Sequence, residues 1–265
     1  AFGITLAPKP HQEHVTDIDN YIWRFCVNYI RLNMITRPAE YPIPRCDDAV
    51  MYGFGAASYF ILLDAFSGYH QVRLSPASSI KTSFHAPHGR KYRWLVMPFG
   101  LRNCPIVFIS MMHDFKEKWE EYCSKHGIDP SIDEGSLIIM DDILLHTLTE
   151  DNAFITLRGV CLVARKYHLT LKLKKCRWFP QKLEYVGVDL SLQGNQPASS
   201  KFGLLKAWKT PATHRAIMSF IGFAIFYVKW IPYFELKVKP LRELISQHPL
   251  DYTFSNEFTE QCNTA

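Results

Sequence analysis

Residues 135–146 read GSLIIMDDILLH, with Asp141 and Asp142 side by side inside an otherwise apolar run. The flanking apolar residues read as two short strands meeting at the acid pair. Two explanations compete for the pair itself. Aspartate is a favoured turn residue, so a surface turn between buried strands would suffice. A metal site is the other, and it requires a further carboxylate together with phosphate-binding groups elsewhere in the chain. LLDAFSGYHQ, residues 62–71, supplies that carboxylate. SYFILLD (58–64) is a continuous apolar run that reads as a strand buried on both faces and ends in Asp64, whose charge is costly to bury unpartnered. If this strand lies beside the hairpin, Asp64 and Asp141 can face one another with Asp142 flanking. Three clustered acids repel unless cations neutralise them, which favours Mg or Mn, hard ions with oxygen ligands, over zinc. A carboxylate-pair hydrolase is another use of facing acids, but the sequence offers no second nucleophile to support it.

Composition bounds the alternatives. With 265 residues and 48% hydrophobic content the chain can bury a sizeable core and is long enough for two lobes. No stretch approaches the roughly 18 uninterrupted apolar residues of a membrane span, and the N-terminus lacks a basic region followed by an apolar one. A soluble protein without a membrane partner is expected. The seven cysteines are scattered, with no CxxC or Cys/His cluster, as in a reduced intracellular setting, cytoplasmic or nuclear. The net charge of +5 is modest, but RKYHLTLKLKKCRWFPQK (165–182) is dense in Lys and Arg and free of acids. Its interleaved Leu, Trp, Phe and Tyr suit a surface that grips a polyanion while packed on a core.

Along the chain, YIWRFCV (21–27) is the strong strand signal of a proline-rich first segment, and HQVRLS and YRWLVMP read as further strands. From Asn103 to His126 apolar residues recur at Val107, Met111, Phe115, Trp119 and Tyr122, which predicts a helix capped by Asn103 and stopped at Gly127. Thr149 to Lys166 reads as a second helix, acidic at its start and basic at its end. KLEYVGVDLSLQGN reads as a hairpin with Gly187 inside it and a Gly-Asn turn at its end. SKFGLLKAW, HRAIMSFIGFAIFYVKWI and LKVKPLRELI follow as helices. The order predicts an α+β fold, an antiparallel sheet with helices on one face, and a separate helical C-terminal subdomain.

WRFCVNYIRLN, YPIPRCDD, YFILLDAFSGYHQV, YRWLVMPFGLRNCP, IIMDDILL, LTLKLKKC and LEYVGVDLSLQG, in this order and at these intervals, resemble the reverse transcriptases of Gypsy-type long terminal repeat retrotransposons. The resemblance implies a right-hand polymerase fold, with interleaved fingers and palm at 1–195, a helical thumb at 196–250, and at 251–265 the start of a truncated connection or ribonuclease H region. It implies RNA-directed DNA polymerase activity by two-metal nucleotidyl transfer, with two Mg ions (Mn possible) held by Asp64, Asp141 and Asp142. Tyr69 matches the aromatic gate against a 2′-hydroxyl, Phe99 and Gly100 the loop on the nucleotide and templating base, and Arg24 the clamp on the triphosphate. Lys174 and Lys175 fall where the family has a lysine near the leaving pyrophosphate. Tyr185 and Gly187 match the hairpin that positions the primer, and Lys201 and Lys206 lie in the region that holds the duplex. The implied partners are a primed RNA or DNA template, a deoxynucleoside triphosphate and a larger polyprotein or assembly.

Three departures stand out. Ile139 occupies the place of the family's tyrosine before the Asp pair, which puts fidelity or primer contacts in question rather than metal binding. Asn28-Tyr29-Ile30 replaces Asp-Tyr-Arg, and Lys9-Pro10 replaces a Lys-Lys pair, with the insertion HQEHVTDIDN following. These losses leave open an alternative: a domesticated, non-catalytic fold of the same kind, serving as a structural or RNA-binding subunit.

Overall fold

A computed structural model describes residues 2–8, 22–42, 57–130, 134–191, 193–206, 208 and 210–249. Lys9-Pro10, the insertion after it, most of YPIPRCDD and the 251–265 tail lie outside the described residues. The chain divides into two compact units, with the break after Pro180.

The first unit contains, in chain order, β1 (Ile4–Pro8), β2 (Trp23–Val27), α1 (Ile30–Ile35), β3 (Tyr59–Asp64), α2 (Pro76–Lys81), β4 (Phe84–His85), β5 (Lys91–Tyr92), α3 (Cys104–Lys125), β6 (Gly135–Ile139), β7 (Asp142–Thr147), α4 (Glu150–Tyr167) and β8 (Arg177–Trp178). Its main sheet has the order β6-β7-β3-β8, and each of these pairings is antiparallel. Ile61 and Leu63 of β3 and Ile143 and Leu145 of β7 meet Phe108, Met112, Phe115 and Trp119 of α3 and Ala153, Val160, Val163 and Ala164 of α4 in one apolar core. Gly159 lets the two helices approach, since a Cβ there would come 2.5 Å from the Tyr122 ring, and Trp119 Nε1 donates to Thr156 O across the gap at 2.9 Å. The α3 stripe is offset from the expected one. Phe108, Met112 and Cys123 are buried while Val107 is exposed, because the run of small and large apolar residues fits two neighbouring faces and the sheet selects one.

HQVRLS is not a strand, and of YRWLVMP only Tyr92 belongs to one, β5. Only Arg73 and Val96 form a bridge between them, beside backbone bonds from Leu74 N to Leu95 O and from Met97 N to Val72 O. The reason is local. Ser67 takes a left-handed conformation (φ 50°) that turns the chain into one 3₁₀ turn, Gly68–Gln71, and Ser75-Pro76 then opens α2, with Ser75 Oγ accepting from Ser78 N. Too few residues remain between these two features to build a ladder. Asn103 is the residue before α3, as expected, but its side chain donates to Arg37 O and accepts from Ala39 N, pinning a loop instead of capping the helix. Thr149 does cap α4, accepting from Asn152 N.

The second unit begins with β9 (Lys182–Tyr185), β10 (Val188–Ser191) and β11 (Gly194–Pro197), followed by α5 (Ser199–Lys206), α6 (His214–Ile225) and α7 (Phe234–Gln247). The expected hairpin is a three-stranded antiparallel meander, because the Gly-Asn pair opens a third strand instead of closing the element. Its first turn is Val186-Gly187, both at positive φ (48° and 80°), the combination that matches the twist of paired strands. Asp189, buried in β10, accepts from Lys182 Nζ at 2.7 Å and from Ser199 N and Oγ, which ties the start of α5 to the sheet. The helix expected over 214–231 ends at Ile225, and a 3₁₀ turn (Val228–Trp230) precedes the reversal at Tyr233, which has φ 57°. Ile217 and Ile221 pack with Leu241, Leu244 and Ile245. Among the described residues no helix is long and apolar enough to cross a membrane.

Candidate active site

The β3–β7 ladder ends on the pair Asp64↔Asp142, and Ala65 N donates to Asp141 O at 2.8 Å. Directly opposed residues of an antiparallel pair project to the same face with Cβ atoms roughly 5 Å apart. The third acid is brought in by the hairpin itself. Ile139 pairs with Asp142, which leaves Met140-Asp141 as a two-residue turn, and Met140 adopts φ 53°. A left-handed conformation at a non-glycine residue costs about 1–3 kcal/mol, so here the turn is held by the ladders on either side. Gly68 then makes room for the acid. A Cβ at this position would overlap Asp141 Oδ1 and lie 2.7 Å from Phe108 Cζ.

These acids are held together against their own repulsion. Burial raises the Asp141 carboxyl above its ordinary value and the Asp64 charge adds to this, with partial relief from Lys175; Asp142 is raised in the same way, with a further contribution from Asp141. The compensating charge is Lys175, whose Nζ lies 2.8 Å from Asp64 Oδ2 and whose own pKa is raised, first by that hydrogen bond. Asp141 Oδ1 is buried with no hydrogen-bond partner. Among the described residues no three His, Cys, Asp or Glu side chains close around a single cation position. The donor set nevertheless fits a hard divalent cation: oxygen-only ligands from three acids on adjoining backbone, excess negative charge, and one buried oxygen lacking a partner.

Next to the acids is an aromatic group. The half-buried Tyr69 ring lies 5.3 Å from Phe99 and 5.5 Å from Phe108, and its hydroxyl pKa is raised by burial and by Asp141. Phe99 is 53% exposed and also meets His70, whose ring stacks on Trp94. Gly100 takes φ 90°, a conformation open to glycine, and its carbonyl accepts from Asn33 Nδ2 at 2.8 Å. Lys174 is exposed on the turn that carries Lys175. Arg24 is exposed on β2, in a different sheet from the acids, opposite Ala7. Tyr29, between the departures Asn28 and Ile30, is buried, donates to Thr82 O at 3.0 Å and has its hydroxyl pushed up to about 12 by burial.

The remaining residues singled out in the sequence belong to the second unit. Tyr185 is 2% exposed, so its ring fills the interior and presents no face to a ligand. The Gly187 carbonyl accepts from Ala198 N, and a Cβ on Gly187 would stand 3.2 Å from Tyr227 Oη and 3.7 Å from Lys201 Cε. The Lys206 side chain lies outside the described residues.

Sequence reading overlooked Gly68 and Gln71. The Ser-Gly pair in LLDAFSGYHQ signals a turn, but nothing local reveals that the space it leaves belongs to an acid far along the chain.

Three carboxylates thus meet at one end of an antiparallel sheet, two from a hairpin and one from the strand beside it. Residues 9–190 match the family model described as reverse transcriptase (RNA-dependent DNA polymerase), and the chain belongs to that family. Its relatives include the retrovirus-related Pol polyproteins of transposons 297 and 412 of Drosophila melanogaster. These are 27% identical over 238 residues (90% of this chain, 21% of the relative) and 28% identical over 262 (99% and 19%). The gypsy Pol polyprotein of the same organism is 26% identical over 223 residues, 84% of this chain and 20% of its own. The chain thus spans about a fifth of these relatives' length. Among solved structures, the foamy viral protease-reverse transcriptase in complex with double-stranded DNA covers 98% of this chain and 42% of its own at 19% identity, with a TM-score of 0.77. The same protein in complex with an RNA/DNA hybrid gives 20% identity, 98% and 32% coverage, and a TM-score of 0.71. The fold is that of the reverse-transcriptase polymerase region.

Proposed function

We propose that this chain is the polymerase core of a retroelement reverse transcriptase, adding deoxynucleotides to the 3′ end of a primer on an RNA or DNA template. The observation that carries this reading is the joining of Asp64, Asp141 and Asp142 by strand register, with an unpartnered buried oxygen on Asp141. Asp64, Asp141 and Asp142 would hold two Mg ions, with Mn as a substitute. When bound, the ions activate the attacking hydroxyl and stabilise the leaving pyrophosphate. Lys175 sits where it can move from Asp64 to the departing phosphates and donate a proton there. The Tyr69 ring, backed by Phe99 and Phe108, would exclude a 2′-hydroxyl by steric conflict. Phe99, on the exposed loop before Gly100, would lie against the base, and Arg24 and Lys174 would meet phosphates.

The complexes of the foamy viral relative support a primed duplex as partner, and the Pol polyprotein relatives support a larger precursor. Within this reading residues 1–195 act as fingers and palm and 196–250 as the thumb, with Gly187, Tyr185, Lys201 and Lys206 on the primer and duplex side. Tyr185 would contribute only through its backbone. The test is primer extension on an RNA template with and without Mg. Extension that requires the cation and is lost in Asp141→Asn sustains the reading, and cation-independent or absent extension refutes it.

A further inference from the structure

Lys175 reaches Asp64 on a side chain that is 59% exposed. An ion pair whose ammonium is that exposed is weak and does not fix its own geometry. The backbone beneath it must do so, and a side chain braces that backbone to the end of β3 alongside its main-chain bonds. Gln71 Nε2 donates to Phe66 O at 2.6 Å and to Thr170 O at 3.1 Å, while its Oε1 accepts from Thr170 N at 2.6 Å. Every polar capacity of the carboxamide but one lone pair is spent on two stretches of main chain. The tie is continued by Phe66 N to Thr170 O, by Lys172 N to Asp64 O at 2.7 Å and by the Ala65–Leu171 bridge. Lys175 N to Lys172 O at 2.8 Å and Cys176 N to Leu173 O then close the turn that presents the lysine.

We propose that Gln71 is a positioning residue: its carboxamide clamps the 170–175 turn to the end of β3 and thereby holds the Lys175 ammonium over the acid site. Its importance for nucleotide addition rests on the polymerase reading above; the clamp itself does not. The two hydrogen bonds that Gln71 makes to Thr170 span 99 residues of sequence, so no local propensity can replace them. Without them the turn keeps its internal bonds and its backbone bonds to the end of β3 but loses the bracing at Thr170 that steadies Lys175 against Asp64.

Two measurements on the chain, with Gln71→Leu and the near-isosteric Gln71→Glu, decide the matter. Glutamate keeps the acceptor for Thr170 N and loses both donations, so it should fall between the other two. Amide exchange over 168–176 should rise at least tenfold in Gln71→Leu while α3 and α4 stay protected; unchanged exchange overturns the clamp. In primer extension Gln71→Leu should lower kcat by about 10-fold to 100-fold with little change in the KM for nucleotide, the cost of a misplacement near 1 Å. It should add nothing further in a Lys175→Gln background. Additive losses, or a loss carried by KM, overturn the positioning role. If the unaltered chain extends no primer, the polymerase reading fails and the catalytic role with it, while the exchange result still stands or falls on the clamp.

Discussion

Gly68→Ala is the sharpest probe of the acid site, because a single methyl group addresses the Asp141 carboxylate directly. The glycine has no positive φ, so alanine suits its backbone and, by restricting the unfolded chain, would add about 0.4–1 kcal/mol of stability in open space. The space is not open. The new Cβ would overlap Asp141 Oδ1 and approach Phe108 Cζ to 2.7 Å, where ordinary contact begins near 3.4 Å. Phe108 is fully buried and cannot retreat, so the carboxylate must swing away by about 1 Å or the turn must shift. Overpacking of this kind costs about 1–3 kcal/mol, and the net loss is therefore expected at about 0.5–2 kcal/mol. Nucleotide addition should suffer more, by about 100-fold, since a ligand displaced by that distance no longer meets the reacting phosphate correctly. Urea denaturation gives the first quantity and single-turnover primer extension the second. A variant as stable and as active as the parent would mean that Asp141 does not point at Gly68, and the account of the site would be wrong.

Asp141→Asn removes one of three repelling charges, so in the absence of divalent cations it should raise the melting temperature while abolishing extension. Its pH dependence has a definite sign. Asp141 and Asp142 have folded values above the ordinary 3.8, so the folded chain binds protons more tightly than the unfolded one. Their contribution therefore makes the cation-free chain less stable as pH rises from 3.8 through the raised values, and Asp141→Asn should flatten that slope in denaturant titrations. Tyr69→Val should raise ribonucleotide incorporation relative to deoxynucleotide and cost about 1–3 kcal/mol, because the ring packs on Phe99 and Phe108; a loss shared equally by both substrates would refute the gate. In the second unit, Asp189→Ala should cost about 1–3 kcal/mol by freeing Ser199, read as a lower urea midpoint. Burial alone would raise the Asp189 pKa, but Lys182 and Ser199 together hold it low, so its contribution persists at neutral pH and fades as acid protonates it.

What the sequence disclosed followed how local the cause was. The Asp pair, the strand before Asp64 and the extent of α4 are written in runs of apolar residues and in the acidic and basic ends of one helix, so they could be read directly. The failures share a different cause. HQVRLS has the alternation of a strand, yet its fate is set by Ser67 on one side and Ser75-Pro76 on the other. Asn103 stands where a cap is needed, but its side chain bonds to Arg37 and Ala39, more than sixty positions earlier. Gly68 and Gln71 serve Asp141 and Thr170, which come close only once the sheet is built. The three acids were visible as residue types, whereas the groups that aim them were not.

The place of β3 between β7 and β8 also sets a timetable. Every strand that β3 pairs with is made long after it: Asp64 waits for Asp142, and Ile61 for Trp178. At ordinary synthesis rates that delay is on the order of ten seconds. During it YFILL, an apolar β-prone stretch without charge or proline, is an open template for pairing with another chain. The β6–β7 hairpin, closed by a two-residue turn, can form within microseconds of its emergence, so it is the ready surface on which the waiting strand docks. Contacts of such long sequence separation make for slow folding. A nascent chain therefore holds no partial acid cluster: Asp64 acquires its neighbours and the Lys175 turn only once those later strands have been made, and yield in a cell will depend on shielding one strand until then.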